Sequence, residues 1–307
     1  MKKLNAKDLI SINLLTADEV KLIIEESDLI KNGPRNTEYL KGKTLAMIFE
    51  KSSTRTRVSF ETGIYQLGGI GMYFSSKDLQ IGRGETIHDT AKVLSRYVDG
   101  IMARTFSYQT VLDLAKYASV PVINGLTDYD HPCQILADLF TIYEKKGKLK
   151  GLTLTYIGDG NNVLHSLIQG CAKVGMNIVY ASPGGYTPLP EVVKEAGEIA
   201  KVNGSTIEHI ADPIAAVKNA NIIYTDVWVS MGQEEDKSKR LSDLKPYQLN
   251  SSLLSNAKKD VLVMHCLPAH RGEEITDDVI DGPNSIVFDE AENRLHTQKA
   301  IMKLLMS

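Results

Sequence analysis

Residues 52–57 form a short polar segment rich in groups that bind anions. They read SSTRTR, with several hydroxyls and two arginines, and follow the apolar run Thr44–Phe49. Apolar residues then recur at helical spacing, so the segment is predicted to start a helix. A helix start offers unpaired N–H groups and a positive dipole end, and arginine adds a planar fork that fits phosphate. The pattern favours a phosphate site over its alternative, a Ser53 N-cap with solvated arginines.

Further donor groups follow two other predicted strands. Arg104 ends the apolar strand Asp99–Arg104, and His131 and Gln134 share one turn at the start of a helix that opens with a proline. Each also has a purely structural explanation. Arg104 could pair with a carboxylate at the strand end, and His131 could simply occupy a turn. Together with segment 52–57 they place several donors at one edge, which suits a phosphate next to a carbonyl group.

Residues 158–162 read GDGNN and follow an apolar strand directly. The third glycine of the dinucleotide fingerprint G-x-G-x-x-G is missing, because Val163 stands there. No acidic residue closes the next strand, Asn177–Ala181, to hold a ribose. A nicotinamide cofactor is therefore not predicted, and the two asparagines instead supply amide donors for a carboxylate.

Two later segments end strands with groups that fit an amino acid. Asp226 opens DVWVSMG and is interpreted as the partner of a substrate ammonium, or else as a sheet-end carboxylate. Cys266, in HCLP, is a nucleophile or a small buried residue, and no base is assignable to it, so covalent catalysis is not predicted. The Leu267–Pro268 bond is a candidate for the cis form. Arg294 opens a predicted helix, where a cation is disfavoured, and this favours a functional role.

Apolar strands alternate with helical segments along the whole chain. Strands are predicted at 44–49, 71–75, 99–104, 120–126, 152–157, 177–181, 206–210, 222–225, 261–264 and 284–288, and a closing helix at 291–305. The alternation predicts an α/β protein with parallel sheets and helices on both faces. Since ligands of such sheets lie beyond the carboxyl ends of the strands, the polar segments above are predicted to meet there.

A lysine- and glycine-rich stretch at 144–151, EKKGKLKG, is predicted to link two doubly wound parallel-sheet domains that flank a cleft. The first domain spans 1–146 and the second spans 147–289, with the C-terminal helix 290–307 returning to the first. The polar loops 76–85 and 230–240 contain glycines and are predicted to face the cleft, and 230–240 is expected to close over a bound substrate.

Composition limits the classes of function. The chain has 307 residues, of which 43% are hydrophobic and 24% charged, as in globular proteins. A net charge of 35 − 38 = −3 gives no global attraction to nucleic acid or anionic membranes, so an anionic substrate needs a local cluster of cations. Three dispersed cysteines predict neither disulfides nor a metal site. No signal peptide or membrane span is recognised, and a cytoplasmic protein is predicted.

Four motifs occur in an order that resembles the signature set of the aspartate/ornithine carbamoyltransferase family: STRTR at 53–57, ART at 103–105, HPCQ at 131–134 and HCLP at 265–268. The resemblance covers nearly the whole chain. DVWVSMG at 226–232 and Cys266 are similar to the ornithine branch of the family. The resemblance implies transfer of a carbamoyl group from carbamoyl phosphate to the δ-amine of L-ornithine, giving citrulline and phosphate. It also implies a homotrimer that needs no metal or organic cofactor.

The resemblance further implies roles for individual residues. Carbamoyl phosphate would be bound by Ser53, Thr54, Arg55, Thr56, Gln80, Arg104, His131, Gln134, Cys266, Leu267 and Arg294. The catalytic residues would be Arg104, His131, Gln134 and Cys266. Ornithine would be bound by Asn162, Asp226, Ser230 and Met231. The loop 76–85 would reach the site of a neighbouring subunit, with Gln80 as the first expected contact and Arg83 as the second.

Other functions stay open at this point. Aspartate as acceptor would need further cations, which Lys237, Lys239 and Arg240 offer just beyond the SMG motif. Putrescine lacks the α-carboxylate that Asn162 is expected to meet, and an acylated ornithine is a third alternative. Outside the family, the broken glycine pattern argues against a nicotinamide oxidoreductase, and the complete set of polar motifs argues against a catalytically silent binding subunit.

Overall fold

The computed structural model describes residues 3–77, 79–80, 84–230, 232 and 234–307. The chain divides into two compact units. Unit 1 combines Met1–Glu144 with Glu292–Ser307, and unit 2 is Lys145–Ala291. Within these described ranges, no helix has both the length and the apolar character needed to cross a membrane.

Unit 1 is built on a parallel four-stranded sheet with the order β2-β1-β3-β4. Its strands are β1 (Thr44–Phe49), β2 (Ile70–Ser75), β3 (Gly100–Arg104) and β4 (Val122–Leu126). The helices of this part of the chain are α1 (Ala17–Asn32), α2 (Thr54–Gln66), α3 (Ile87–Leu94), α4 (Tyr108–Tyr117) and α5 (Pro132–Lys146). β1, β3 and β4 are almost completely buried, as expected of parallel strands that are covered on both faces.

Side-chain caps start α1, α2 and α3 in unit 1. Thr16 and Glu19 form a reciprocal capping box at α1, as the TADE sequence predicts. Ser53 caps α2 and Thr86 caps α3, and each accepts a hydrogen bond from the backbone N–H three residues later. The Ser53 cap fixes the start of α2 just beyond the end of β1.

Unit 2 is built on a parallel five-stranded sheet with the order β7-β6-β5-β8-β9. Its strands are β5 (Thr153–Ile157), β6 (Asn177–Ala181), β7 (Ile207–His209), β8 (Ile222–Thr225) and β9 (Leu262–Met264). The helices that follow are α6 (Asn162–Val174), α7 (Pro190–Asn203), α8 (Pro213–Val217), α9 (Lys237–Leu244), α10 (Ser251–Leu254) and α11 (Asp277–Ile280). The last helix, α12 (Val287–Met306), contains the boundary between the units, at residues 291 and 292.

In each sheet, one strand marks the point where the order of strand addition reverses. β1 has β2 on one side and β3 on the other, and β5 lies between β6 and β8 in the same way. Ligands of open α/β sheets bind at the carboxyl ends of such strands. Ser53 and Asn162 lie in the segments that follow β1 and β5. Arg104 ends the neighbouring strand β3, and Asp226 directly follows β8, the neighbour of β5.

The predicted strand 284–288 is wrong. Ser285 makes only a single β-bridge, with Val263, and α12 already begins at Val287, four residues before the predicted start of the closing helix. Asp289 and Glu290 lie in the first turn of α12, where acidic side chains stabilise a helix, and this outweighs the strand propensity of the short apolar run. The other predicted strands are present, and their ends differ by at most two residues.

Candidate active site

The start of α2 carries the hydroxyls of segment 52–57. Ser53 Oγ accepts a hydrogen bond from the Thr56 backbone N–H at 3.2 Å and donates to Thr56 Oγ1 at 3.1 Å. Thr54 and Arg55 are the first two residues of the helix, where backbone N–H groups have no partner within the helix. The Ser53 cap is therefore present, and it is compatible with an anion site because it satisfies only one of these N–H groups.

Two arginines converge on Thr56. Arg104 Nη1 lies 3.5 Å from Thr56 Oγ1, and Arg294 Nη2 lies 3.3 Å from the same oxygen. All three side chains are more than nine-tenths buried. Both guanidiniums stay charged, since arginine does not lose its proton in proteins, and two cations held together away from water favour an anion beside them. Guanidiniums also match the geometry of phosphate.

Arg294 lies about two turns into α12 rather than at the start of a helix. The unfavourable position at the positive helix end that was predicted for Arg294 is therefore wrong. Its contacts provide a better reason. One side chain joins α12 to the hydroxyl of Thr56 on α2 and to the amide of Gln134 on α5.

Gln134 is held in one orientation. Its Oε1 accepts a hydrogen bond from Arg294 Nη1, and its Nε2 donates to Asp138 Oδ1 at 2.8 Å. Both Gln134 and Asp138 are buried. Asp138, which the sequence analysis did not single out, lies one helical turn further along α5 and fixes the direction of the amide. An aspartate four residues after a functional glutamine on one helix face is the signal that identifies it.

His131 directly precedes α5 and is almost completely buried. Burial, together with the positive charges of Arg294 and Arg104, lowers the pKa of His131 well below its usual value. The imidazole is therefore neutral at pH 7, and it can donate a hydrogen bond without adding a third positive charge. The preceding residue, Asp130, behaves in the opposite way: burial raises the pKa of its carboxyl to about 7, against hydrogen bonds from neighbouring polar side chains.

Hydrogen bonds join five of the predicted site residues of unit 1: Ser53, Thr56, Arg104, Gln134 and Arg294. Arg57 takes another direction, because its guanidinium lies 3.7 Å from the centre of the Tyr73 ring and its Nε lies 3.2 Å from Glu61. Gln80 is exposed, and its backbone carbonyl accepts a hydrogen bond from the Glu85 N–H at 3.0 Å. The Arg83 prediction falls outside the described residues.

Asp226 is the centre of a polar cluster in unit 2. It follows β8 and accepts hydrogen bonds from Asn161 Nδ2 at 2.6 Å and from Cys266 Sγ at 3.1 Å. Cys266 therefore acts as a thiol donor. A carboxylate next to a thiol disfavours the thiolate, so the geometry favours a polar contact residue over a nucleophile.

The structure gives the N-cap role at α6 to Asn161, and Asn162 is the first residue of the helix. Asn161 Oδ1 accepts from the backbone N–H groups of Val163 and Leu164, while its Nδ2 donates to Asp226. Both asparagines were predicted as amide donors for a carboxylate, but only Asn162 was predicted to bind ornithine. The available signal for Asn161 was its place just before an apolar helix, where asparagine is a favoured cap. Ser230 is half-buried, and Met231 lies outside the described residues.

A buried network shapes the HCLP segment after β9. His265 Nδ1 accepts from the Leu267 backbone N–H at 2.9 Å, so the ring proton is on Nε2, which donates to Glu274 at 3.0 Å. The His265 backbone N–H donates to one oxygen of Glu290, and the Tyr224 hydroxyl donates to the other, each at 3.0 Å. Glu290 thus ties the ends of β8 and β9 together. These strands lead directly into the segments that carry the Asp226 cluster.

Leu267 has a φ angle of 56°, in the left-handed region that non-glycine residues rarely adopt. The hydrogen bond from its N–H to His265 holds the backbone in this conformation. The Leu267–Pro268 bond, a candidate for the cis form from the sequence, is cis. The segment therefore presents Cys266 and Leu267 in one defined conformation.

Arg240 joins two polar turns of unit 2. It donates from Nε to the Trp228 carbonyl at 2.6 Å and from Nη2 to the Asp159 carboxylate. Burial raises the pKa of Asp159 to about 6, and the charge of Arg240 opposes this rise. From the sequence, Arg240 was predicted only as one of the cations available to the second carboxylate of an aspartate acceptor, and no role was predicted for Asp159.

Two groups of side chains among the described residues place potential metal ligands close together: Asp226, His265 and Cys266, and separately His270, Glu273 and Glu274. Hydrogen bonds account for the proximity within each group. Cys266 donates to Asp226 in the first, and the His270 backbone N–H donates to Glu274 in the second. In the second group, His270 Nδ1 also lies 3.4 Å from a carboxylate oxygen of Glu273.

The chain matches family models over both units. Residues 7–144 match the carbamoyl-P binding domain of the aspartate/ornithine carbamoyltransferases, and residues 150–305 match the Asp/Orn binding domain. The ornithine carbamoyltransferase of Oceanobacillus iheyensis is 60% identical, with 100% of this chain and 96% of that protein covered. The ornithine carbamoyltransferase of Thermococcus kodakarensis is 57% identical, with 99% of this chain and 97% of that protein covered.

Solved structures give the same result. The ornithine carbamoyltransferase from Pyrococcus furiosus superposes with a TM-score of 0.96 at 54% identity, covering 100% of this chain and 99% of that chain. The structure from Gloeobacter violaceus superposes with a TM-score of 0.90 at 47% identity, covering 99% and 100%. These similarities extend over the entire sequence and include both sheets. The chain belongs to the aspartate/ornithine carbamoyltransferase family.

Proposed function

We propose that this chain transfers the carbamoyl group of carbamoyl phosphate to the δ-amine of L-ornithine, giving L-citrulline and phosphate, in arginine biosynthesis. The observation that carries the proposal is full-length identity of 54–60% to proteins named ornithine carbamoyltransferase. The relative from Pyrococcus furiosus is named as anabolic. The polar clusters around Thr56 and Asp226 supply chemistry that agrees with this reaction.

Unit 1 is proposed to bind carbamoyl phosphate. The phosphate group would lie at the start of α2, against Ser53, Thr54, Arg55 and Thr56, with Arg104 and Arg294 beside it. The two buried guanidiniums at Thr56 support this placement, because a phosphate would balance charges that otherwise repel one another. Leu267 and Cys266 are proposed to contact the same substrate from the HCLP segment.

Arg104 and His131 are proposed to polarise the carbonyl group. Negative charge grows on the carbonyl oxygen when the amine attacks, and fixed donors stabilise it without reorganisation. One such donor contributes roughly 3–4 kcal/mol to the barrier. His131 would act as a neutral donor, since its pKa is lowered. Gln134, oriented by Asp138, would bind the carbamoyl NH₂ group through its Oε1.

Unit 2 is proposed to bind ornithine through Asn162, Asp226, Ser230 and Met231. The δ-amine has a lysine-like pKa of about 10.4 in water, so the site must select or create its neutral form. A carboxylate next to the reacting amine would stabilise the charged form instead. Asp226 is therefore proposed to pair with the α-ammonium group, with Asn162 on the α-carboxylate and Cys266 near the reacting end.

The reaction needs no covalent enzyme intermediate. The lone pair of the neutral δ-nitrogen forms a bond to the carbonyl carbon, and the carbon–oxygen bond to the phosphate breaks. Phosphate leaves with the electron pair of that bond and can accept the proton that the nitrogen loses. Atoms and charge therefore balance between the two substrates, and the role of the chain is to position them and to stabilise the developing charge.

A dicarboxylate acceptor such as aspartate fits less well. It would require a further cation near the SMG segment, and two of the three basic residues there already face carboxylates of the chain. Arg240 is paired with Asp159, and Lys237 lies 3.5 Å from Glu273. Their charges are already balanced by carboxylates of the chain, which favours ornithine over aspartate.

A homotrimer and a cytoplasmic location are part of the proposal. Large apolar side chains are exposed on α2 and on the neighbouring edge strand β2, at Val58, Tyr65, Ile70 and Met72. Exposed apolar groups on one surface are typical of interfaces, and an uncovered edge strand is normally protected. In such an assembly the loop 76–85, with Gln80 and Arg83, would reach a neighbouring subunit.

The test is a product assay with purified protein. Carbamoyl phosphate is supplied with ornithine and, in parallel, with aspartate, putrescine or N-acetylornithine, and each carbamoylated product is measured. We expect citrulline and none of the other products. Product from another acceptor alone would retain the donor site and refute the ornithine assignment, and no product from any acceptor would refute carbamoyl transfer to all four.

A further inference from the structure

Among the described residues of unit 2, the Arg240 side chain contacts three partners. Its Nε donates to the Trp228 carbonyl at 2.6 Å, its Nη2 donates to Asp159, and its guanidinium lies 5.1 Å from the centre of the Tyr186 ring. The side chains of Arg240 and Asp159 are 13% and 9% exposed. Because the pair is largely shielded from water, its loss would cost more than that of a surface ion pair.

The partners of Arg240 belong to two different turns. Asp159 lies in the turn after β5, and Asn161 of the same turn donates a hydrogen bond to Asp226. Trp228 lies in the segment that leaves β8, two residues after Asp226 and two before Ser230. Arg240 is therefore bonded to the segments on both sides of the proposed acceptor carboxylate.

Packing brings the same two turns into contact. Trp228 is 2% exposed, and a Cβ placed on Gly158 would lie 3.3 Å from its indole nitrogen. The indole thus packs on the backbone of the turn after β5. Arg240 adds two directional bonds to this packing contact, and together with the Asn161–Asp226 hydrogen bond they hold the two turns in alignment.

We propose that Arg240 is a positioning residue for the acceptor amino acid, holding the Asp159 turn and the Trp228 segment at the spacing that presents Asp226 and Ser230 to ornithine. This inference rests on the proposed function, since ornithine is taken as the ligand. Direct contact of Arg240 with the substrate is the alternative. The structure favours positioning, because the charge of Arg240 is balanced by Asp159 and its donors point to the two turns.

Substitution of Arg240 by lysine distinguishes the positioning role from direct contact with the substrate. A lysine at 240 keeps the positive charge but lacks the planar fork that reaches a carbonyl and a carboxylate together. We expect both Arg240→Lys and Arg240→Gln to raise the KM for ornithine about tenfold or more. The KM for carbamoyl phosphate should stay within twofold, and kcat within about threefold. Lys239→Gln is the matched control, because it removes one exposed charge from the same helix and should leave all constants unchanged.

Trp228 offers a direct readout, since it is the single tryptophan of the chain. The probe is L-norvaline, an ornithine analogue without the reactive δ-amine, added with inorganic phosphate. We expect saturable change in the tryptophan emission of the unmodified protein. In Arg240→Gln the midpoint of the titration should move to about tenfold higher norvaline. Asp159→Asn keeps one acceptor oxygen, and the midpoint of its titration should move to about threefold higher norvaline.

The outcomes separate this inference from the proposed function. An unchanged KM for ornithine in Arg240→Lys would indicate that only the charge matters, and it would overturn the positioning role. Equal norvaline midpoints in Arg240→Gln and the unmodified protein would overturn it as well. A parallel rise in both KM values together with a lower melting temperature would show a general fold defect, again against the inference. Failure of the unmodified protein to make citrulline would overturn the proposed function by itself.

Discussion

Arg294 donates a hydrogen bond to the side-chain oxygen of Gln134, a residue 160 positions earlier in the chain. The same guanidinium lies 3.3 Å from the Thr56 hydroxyl. One cation is therefore shared by α2, α5 and α12. The proposed donor site depends on this side chain for its geometry as well as for its charge.

Replacement of Arg294 tests the donor site. We expect Arg294→Gln to lower kcat/KM for carbamoyl phosphate by about 10²–10³, because a preorganised charged donor is lost. Steady-state kinetics with both substrates measure the effect. Arg96→Gln, at an exposed arginine of unit 1, serves as the control and should stay within twofold of the unmodified protein. A change confined to the KM for ornithine would contradict the placement of Arg294.

The protonation state of His131 is a second prediction. Burial and two neighbouring guanidiniums lower its pKa well below the usual value, so its imidazole should stay neutral throughout the range from pH 6 to pH 8. Nitrogen NMR of labelled histidine measures this directly. The exposed His88 provides an internal comparison in the same sample. A His131 resonance that titrates near pH 6.5 would refute the neutral-donor role.

Asp130 should make stability depend on pH. Burial raises the pKa of this carboxyl to about 7 in the folded chain, from its ordinary value of 3.8. The contribution of protonated Asp130 to the free energy of unfolding is therefore fully present below about pH 4, and it is lost as the pH rises through about 7. Each pKa unit corresponds to about 1.4 kcal/mol, so the loss amounts to a few kcal/mol.

The isosteric change Asp130→Asn removes this dependence. The variant should unfold at higher denaturant concentration than the unmodified protein at pH 8, and this advantage should disappear at pH 4.5. Glu208→Gln, at an exposed acidic residue, is the control and should show no such difference. An equal effect of Asp130→Asn at both pH values would show that the carboxyl is not protonated on folding.

Asp226→Asn tests the acceptor site. We expect the KM for ornithine to rise ten- to a hundredfold, because loss of a hydrogen-bonded charge costs about 1.5–3 kcal/mol. The KM for carbamoyl phosphate should change little. Initial-rate kinetics decide the question. Abolished turnover with an unchanged KM for ornithine would place Asp226 at the reacting amine instead of the α-ammonium.

Gly160 is expected to be essential for the turn after β5. A Cβ at this position would lie 2.4 Å from the backbone nitrogen of Pro188 and 2.5 Å from the carbonyl carbon of Thr187, so the backbone would have to move. Gly160→Ala should destabilise the protein by about 3 kcal/mol. Gly197→Ala is the matched control, since α7 has open space there and alanine should stabilise the helix by about 0.5–1 kcal/mol. Equal unfolding free energies for Gly160→Ala and the unmodified protein would refute this explanation.

Local sequence signals were sufficient for elements whose causes are local. The capping box at Thr16 and the cap at Ser53 depend on residues three positions apart, and both are present. The parallel strands then bring distant motifs to the carboxyl ends of one sheet, so the meeting of Arg104 with the start of α2 was predictable from topology. Family motifs supplied the roles of the individual side chains.

Pairings over long distances could not be predicted in this way. Arg240 and Asp159 are 81 positions apart, and no periodicity links them. The choice between Asn161 and Asn162 depended on which residue capped α6, a difference of one position that apolar patterning does not resolve. Run 284–288 was assigned as a strand because its length and apolar character suit one. The acids that follow it start a helix instead.

The discontinuity of unit 1 has a consequence for the order of events during synthesis. Residues 145–291 form one continuous unit, and Arg294 is translated after all of them. A nascent chain can therefore complete unit 2 on the ribosome before the segment that binds Gln134 and Thr56 exists. Until Arg294 has been synthesised, Thr56 has only the Arg104 guanidinium beside it. The anion site is therefore one of the last features of the protein to form.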